Sequence, residues 1–261
     1  MGHKHFISDV HLTDERPESL ALWQHYIHTG PQTGDQLYIL GDLFDAWIGD
    51  DDDAPLATQV RTSLRQLTER GITLYLQHGN RDFMLGQRFA RQVGATLLPE
   101  VYRLTVAGQP TVLLHGDQLC TDDHRYQAAR RRLRSRWFQW LLKVRSLNAR
   151  RQIAAAYRAR SRHNPTPLSQ MDAVPEAVLD HLQRHHATQM IHGHTHRPAV
   201  HQHTLPDGQI AQRYVLDEWH PTHASVWTDD GNNLHRQNVG NPSWYLSNWK
   251  MWPQITNIEL S

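Results

Sequence analysis

Cysteine is nearly missing from this chain: Cys120 is the single one in 261 residues. No internal disulfide can form, which suits a reducing compartment, and thiolate is unavailable as a repeated metal donor. No apolar run approaches the ~18 residues of a membrane-spanning helix, and the start MGHKHFISDV contains no signal-peptide core. The expectation is a cytoplasmic protein. Internal repeats and low-complexity linkers are also missing, so one domain over 1–261 is expected, and 39% hydrophobic residues suffice for a sizeable core. The last absence is local. From Arg125 to Arg162 there is no acid, although the whole chain carries 27 basic and 26 acidic residues.

What the chain does have is histidine, 20 of them. At that density an isolated imidazole carries little information, and His25, His28, His163 and His235 read as surface or packing residues. Constellations count for more. Five short apolar runs, HKHFISD, DQLYILGD, GITLYLQHGN, PTVLLHGD and ATQMIHGHTH, each read as a buried strand ending in a polar cluster. Helical patterns lie between them, which predicts an α/β layered fold. The clearest helix is PESLALWQHYIHTG, with Leu20, Trp23, Tyr26 and Ile27 at helical spacing between Pro17 and Gly30. One long helical pattern runs from about Asp123 to Arg162, and short strands return after Pro198 in QRYVLDEW and HASVWTD.

The strand ends carry the chemistry. Asp9 and His11 close the first run, Asp42 the second, Asn80 the third, His115 the fourth, His194 and His196 the fifth. Ligand crevices in α/β sheets lie beyond the carboxyl ends of strands, so these seven side chains can converge. Oxygen and imidazole donors without thiolate suit two divalent cations such as manganese, iron(II), cobalt or zinc. A carboxylate can bridge two ions, and Asp42 takes that role here. The glycines in GDL, GN and GH let the backbone turn sharply off each strand. Asp45 reads as a turn residue or a support for the ligands.

SDVHL, GDLFD, HGNRD, HGD and HGHTH, in that order, resemble the motifs of the calcineurin-like metallophosphoesterase superfamily. The resemblance implies a β-sandwich flanked by helices. Asp9, His11, Asp42 and His196 would hold one metal, and Asp42, Asn80, His115 and His194 the other. Two such ions acidify a water and polarise a phosphoryl group for in-line attack. Arg81 could pair with non-bridging oxygens, and His194 could donate to the reacting phosphate or leaving oxygen, with Asn80 as metal and hydrogen-bond ligand.

The acid-free segment bears on the substrate. It holds thirteen of the cations, with Leu133, Trp137, Trp140, Leu141 and Val144 forming one apolar helical stripe. Either the stripe is ordinary core, or the segment meets an anionic partner. An anionic membrane surface uses both the charge and the tryptophans, whereas nucleic acid has little use for WFQWLL; no nucleic acid is expected. DAWIGDD, HGDQLCTDD and IHGHTHRPAVH further resemble the UDP-2,3-diacylglucosamine hydrolase family of lipid A biosynthesis. That resemblance implies hydrolysis of UDP-2,3-diacylglucosamine to UMP and 2,3-diacylglucosamine 1-phosphate, usually with Mn2+, by a protein peripheral on the cytoplasmic face of the inner membrane. It makes 123–170 a helical lid and gives Asn80, Arg81, Asp123, Ser161, Asn164 and His194 contacts with substrate. SRHNPTPLSQMD departs from the family pattern by lacking a lysine after the asparagine, and Arg162 is the candidate replacement. The acidic run Asp50 to Asp53 reads as a solvated loop, and the protein as a monomer. The rival readings are a phosphoesterase acting on soluble nucleotides or nucleic acid, and a non-catalytic membrane-binding scaffold.

Overall fold

A computed structural model describes residues 2–163 and 172–240, with backbone alone for 160–163. Strands β1 (Lys4–Ile7), β2 (Gln36–Leu40) and β3 (Thr73–Gln77) alternate with helices α1 (Pro17–Thr29) and α2 (Pro55–Glu69); α3 (Gln87–Gln92) and β4 (Ala95–Leu97) follow. Strands β5 (Tyr102–Val106) and β6 (Gln109–Leu113) form a hairpin. Three helices come next, α4 (His124–Leu133), α5 (Arg136–Lys143) and α6 (Leu147–His163), then α7 (Pro175–Arg184) and β7 (Gln189–His192). The described chain closes with β8 (Val200–Thr204), β9 (Ile210–Val215), β10 (Ser225–Asp229) and β11 (Leu234–Asn238).

All five expected strands form, but they do not share one sheet. β1, β2 and β3 run parallel in a six-stranded sheet of order β11-β10-β1-β2-β3-β4, whereas β6 and β7 lie in a second sheet of order β5-β6-β7-β9-β8. Period-two alternation explains the layering. Phe6, Tyr38 and Leu40 point between the sheets, where they meet Leu113, Ile191, Tyr214 and Trp227. Ile7, Leu37 and Ile39 point the other way onto α1 and α2, through Trp23, Ile27, Val60 and Leu64. The outer face of the second sheet is covered by Val178 and Leu182 of α7. Burial of this kind contributes roughly 25 cal/mol per Å² of apolar surface, enough to set strand register.

The long helical pattern breaks twice. Ser135 caps α5 by accepting the Phe138 N–H (3.3 Å), and Ser146 accepts the Ala149 N–H (3.3 Å) at the start of α6. The apolar stripe therefore does not lie on one helix. Phe138 and Leu142 pack inward against the core, while Trp137 (66% exposed), Trp140 (52%) and Val144 face outward.

The acidic run 50–53 is only in part the solvated loop expected: Asp51 and Asp53 are exposed, yet all four carboxylates have partners in the fold. Asp50 accepts N–H groups from Gly86 (2.8 Å) and Phe89 (3.0 Å). Both oxygens of Asp51 take the guanidinium of Arg150, and Asp52 and Asp53 pair with Arg151. Asp45, one turn away, pairs with Arg158 at 3.1 Å. The acids missing from the three-helix segment are thus supplied from earlier in the chain, by this loop for α6 and by Glu100 and Asp117 for Arg130 and Arg134. Five of its arginines, Arg130, Arg134, Arg150, Arg151 and Arg158, are paired within the chain.

Arg150 is the central latch, since it is buried and also donates to the carbonyl of Ile48 (2.8 Å). Arg150→Ala should loosen α6 by about 2 kcal/mol, the cost of leaving charged and carbonyl partners unmatched. Hydrogen exchange should read this as roughly thirty-fold faster opening of α6 with β1–β3 unaffected; equal protection in both proteins would show that the latch is ornamental.

Candidate active site

Three of the strands aimed at the site, β1, β2 and β7, end in turns that L-residues resist. Among the described residues seven non-glycine positions have positive φ, and five of them are Asp9 (53°), His11 (50°), Asp42 (53°), His194 (66°) and His196 (53°). Such left-handed backbone is uncommon for non-glycine residues and persists where the surroundings over-determine it. Here Asp9 N–H donates to the Gly41 carbonyl (3.1 Å) and His11 N–H to that of Asp42 (2.9 Å), so the ends of β1 and β2 hold each other. Two glycines make the approach possible: a Cβ on Gly79 would lie 1.9 Å from Asp42 Oδ1, and one on Gly193 would lie 2.1 Å from Asp9 Oδ2.

The resulting cage brings together all seven predicted side chains, drawn from both sheets. Donor atoms of Asp9, His11 and His196 lie within 4.8 Å of one another, as do those of Asp9, Asp42 and His115. Asn80 Oδ1 sits 3.0 Å from His115 Nε2 and 2.9 Å from His194 Nδ1. Asp42 Oδ2 lies 3.7 Å from His115 Nε2 and 3.9 Å from His11 Nε2, between the two groups.

The protonation chemistry fits cations. His115 Nδ1–H donates to the Leu40 carbonyl (2.9 Å), which turns its Nε2 toward the oxygens of Asn80 and Asp42; burial lowers this ring, but the Asp42 and Asp9 carboxylates outweigh it and hold it above its ordinary range, so without metal Nε2 carries a proton that a cation would displace. His196 is oriented in the same way, with Nδ1 on Glu218 (2.8 Å) and Nε2 3.4 Å from Asp9 Oδ1. Asp9 Oδ1 and both ring nitrogens of His11 are buried without a hydrogen-bond partner. Burial holds His11 down at about 4 and His194 at about 3, so both rings are neutral and able to ligate. Burial also pushes Asp42 up to about 7, with Asp82 and Asp9 adding to the effect and His115 opposing it. Asp9 is held well below the carboxylate range: burial acts against this, but the His196 ring, 3.4 Å from Oδ1 and itself raised to about 10, and the His115 ring outweigh it. Convergent acceptors with too few donors are the donor set of a divalent-metal site.

Beside the cage opens a largely apolar groove. Asn80 and Arg81 line it, and its walls include Leu133, Phe138, Leu142, Ile153 and Tyr157 from the three helices. Trp137 and Trp140, placed by the sequence on the same stripe as Leu133, do not line it. The backbone N–H of Arg81 also holds Asp42 Oδ1 (2.8 Å). Asp123 caps α4 by accepting the Tyr126 N–H (2.8 Å). The side chains of Ser161 and Arg162, and the whole of Asn164, lie outside the described residues.

Residues 5–198 match the calcineurin-like phosphoesterase family. The UDP-2,3-diacylglucosamine hydrolase of Tolumonas auensis is 47% identical over 218 residues, covering 83% of this chain and 89% of its own. That of Klebsiella pneumoniae is 44% identical over 234 residues, covering 88% and 97%. The chain belongs to the UDP-2,3-diacylglucosamine hydrolase family of calcineurin-like phosphoesterases. A solved structure of a novel archaeal phosphodiesterase aligns over 90% of this chain and 98% of its own, with a TM-score of 0.45 and 8% identity.

Three carboxylates of this hydrolase-family site escape sequence reasoning although each lies inside a quoted motif. Asp82 of HGNRD accepts the N–H groups of Gly79 (2.7 Å) and Leu43 (2.9 Å), tying the Asn80 turn to the Asp42 turn. Glu218 orients His196. Asp117 of HGD is fully buried and takes Tyr126 Oη–H (2.7 Å), Arg130 Nε–H (2.7 Å) and Arg134 Nη2–H (3.2 Å). Tyr126 in turn stacks on His194 with ring centroids 5.9 Å apart, and Arg134 reaches the Gly79 carbonyl. Asp117 therefore couples α4 to the cage.

Because the folded pKa of Asp42 lies above its unfolded value, the metal-free native state binds more protons than the unfolded chain between pH 4 and 7. This group's contribution to stability falls as pH rises through that window. Metal-free Asp42→Asn should gain stability over the metal-free wild type from pH 4 to 7, by on the order of a few kcal/mol, and lose divalent-metal binding. Parallel urea-melt profiles across that range would count against the arrangement.

Proposed function

We propose that this protein hydrolyses the pyrophosphate bond of UDP-2,3-diacylglucosamine, releasing UMP and 2,3-diacylglucosamine 1-phosphate. The observation that carries the reading is the junction of a two-centre acceptor cage with an apolar groove. A soluble nucleotide would have no use for Leu133, Phe138, Leu142 and Ile153 beside the reacting phosphate.

Asp9, His11, Asp42 and His196 would hold one divalent cation and Asp42, Asn80, His115 and His194 the other, with manganese as the physiological ion. Two cations so placed supply the charge that polarises a phosphoryl group and acidifies a water for in-line attack. The chain's own residues do the rest. Asp42 spans both centres and is aimed by the Arg81 N–H. Arg81, at the groove mouth, pairs with non-bridging phosphate oxygens, which planar guanidinium geometry suits. Asn80 offers its amide to metal and phosphate. His194, stacked on Tyr126 and flanking Asn80, would donate to the departing oxygen. Asp123, Ser161 and Asn164 complete the substrate contacts, and α4–α6 form the lid whose inner face takes acyl chain. Its outer face, with the stacked Trp137–Trp140 pair (centroids 5.1 Å apart) among arginines, meets the anionic inner-membrane surface.

Incubation with manganese and UDP-2,3-diacylglucosamine should release UMP, and failure to do so would sink the reading. Each buried methylene contributes about 0.8 kcal/mol, so unacylated UDP-N-acetylglucosamine should be a poorer substrate by several orders of magnitude. Ile153 and Tyr157 line the groove yet are 42% and 43% exposed, so they tolerate substitution without loss of core. Ile153→Asp with Tyr157→Asp should lower kcat/KM on the diacyl substrate by more than tenfold and spare a small phosphodiester. Trp137→Asp with Trp140→Asp should instead reduce sedimentation with anionic vesicles. Equal losses on both substrates would make the groove a purely structural feature.

A further inference from the structure

The opposite end of the first sheet carries a second set of metal donors that the hydrolytic site does not use. His3 and His5 are two apart on β1 and its approach, so both point to one face. β2 runs parallel alongside in the register Lys4↔Gln36, which sets Asp35 next to His3. Donor atoms of His3, His5 and Asp35 lie within 4.8 Å of one another. Nε2 of His5 is 3.2 Å from Asp35 Oδ2. That separation is close to the edge of a tetrahedron with bonds of about 2.1 Å, roughly 3.4 Å.

The surroundings resemble the support that metal-binding imidazoles receive. Nδ1 of His5 meets Tyr26 Oη at 3.1 Å, which fixes the ring and leaves Nε2 pointing at the carboxylate. Asp35 is held in turn by the N–H groups of His3 (2.7 Å) and Gln32 (2.8 Å). Two of the three donors, His5 and Asp35, are buried, and His3 is exposed at the edge, where an ion and its remaining water can enter. Burial keeps the His5 ring below its ordinary range and therefore unprotonated.

We propose that His3, His5 and Asp35 bind a transition-metal dication, zinc by the character of two nitrogens and one oxygen, at a site separate from the cage. Binding replaces the His5–Asp35 hydrogen bond by two coordinate bonds. The ring proton moves to Nδ1 and is donated to Tyr26 Oη. The ion ties β1, β2 and the end of α1 together at the pole of the sheet remote from hydrolysis.

Total zinc after equilibrium dialysis separates this site from the cage. The wild type should retain one equivalent more than His3→Ala, a variant whose exposed position leaves folding and manganese-dependent hydrolysis unchanged. Asp35→Asn should lose the same equivalent. Imidazole 15N resonances of His3 and His5 should shift on zinc addition in the wild type and not in Asp35→Asn. Equal zinc content in the wild type and His3→Ala, or unmoved His3 and His5 resonances, would overturn the proposal, whatever the hydrolytic assay shows.

Discussion

Two carboxylates that solvent barely reaches, Asp9 and Asp42, face one set of histidines, and much of the molecule is arranged around them. Bringing like charges together in a dry site is unfavourable by several kcal/mol unless something answers the charge. The chain answers only in part. Asp9 takes the Ser8 hydroxyl (2.5 Å) and the His194 N–H (2.9 Å), and Asp42 takes the Arg81 N–H. Asp9 Oδ1 and both ring nitrogens of His11 are left without a hydrogen-bond partner. Left-handed turns at five of the cage positions are each unfavourable alone; those at Asp9, His11 and Asp42 are held because β1 and β2 clasp each other through backbone hydrogen bonds just where they leave the sheet, and that at His194 by its N–H on Asp9. Strain and unanswered charge thus fall at the same place, which is the mark of a site shaped for something that arrives from outside.

Charge of the opposite sign organises the three helices beside it. Their neutral-looking parent chain hides a segregation along the sequence that tertiary structure largely undoes. Asp45, Asp51, Asp52 and Asp53 face Arg158, Arg150 and Arg151, while Glu100 and Asp117 face Arg130 and Arg134. Exposed pairs such as Arg151–Asp53 contribute little. Those around the buried Asp117 and Arg150 fix where α4 and α6 sit, and so fix the width of the apolar groove. The same Asp117 touches the tyrosine that stacks on His194, so the wall of the groove and the wall of the cage share one buried anion.

The hydrolytic site was unusually legible before any fold was known. Strand ends marked by glycine and a polar cluster name Asp9, His11, Asp42, Asn80, His115, His194 and His196, and the fold brings these seven together. Asp82, Asp117 and Glu218 were not legible, because a carboxylate that serves a neighbour's backbone or ring looks, in sequence, like any solvated acid. The division of one helical pattern into three was equally hidden: Ser135 and Ser146 are compatible with a helix interior until their hydroxyls find an N–H to cap.

By itself the sequence determined what depends on near neighbours: the alternation that makes each strand, the glycines that let it turn, and the donors carried at each tip. Tertiary structure alone decided that the five strands divide between two sheets, that Phe138 and Leu142 turn inward while Trp137 and Trp140 turn out, and that Asp51, Asp52 and Asp53 close on arginines about one hundred positions later. Strand alternation and turn chemistry are set by local backbone geometry. Which face is buried and which charges pair depends on what packing brings within a few ångströms, and that free energy has no local record in the chain.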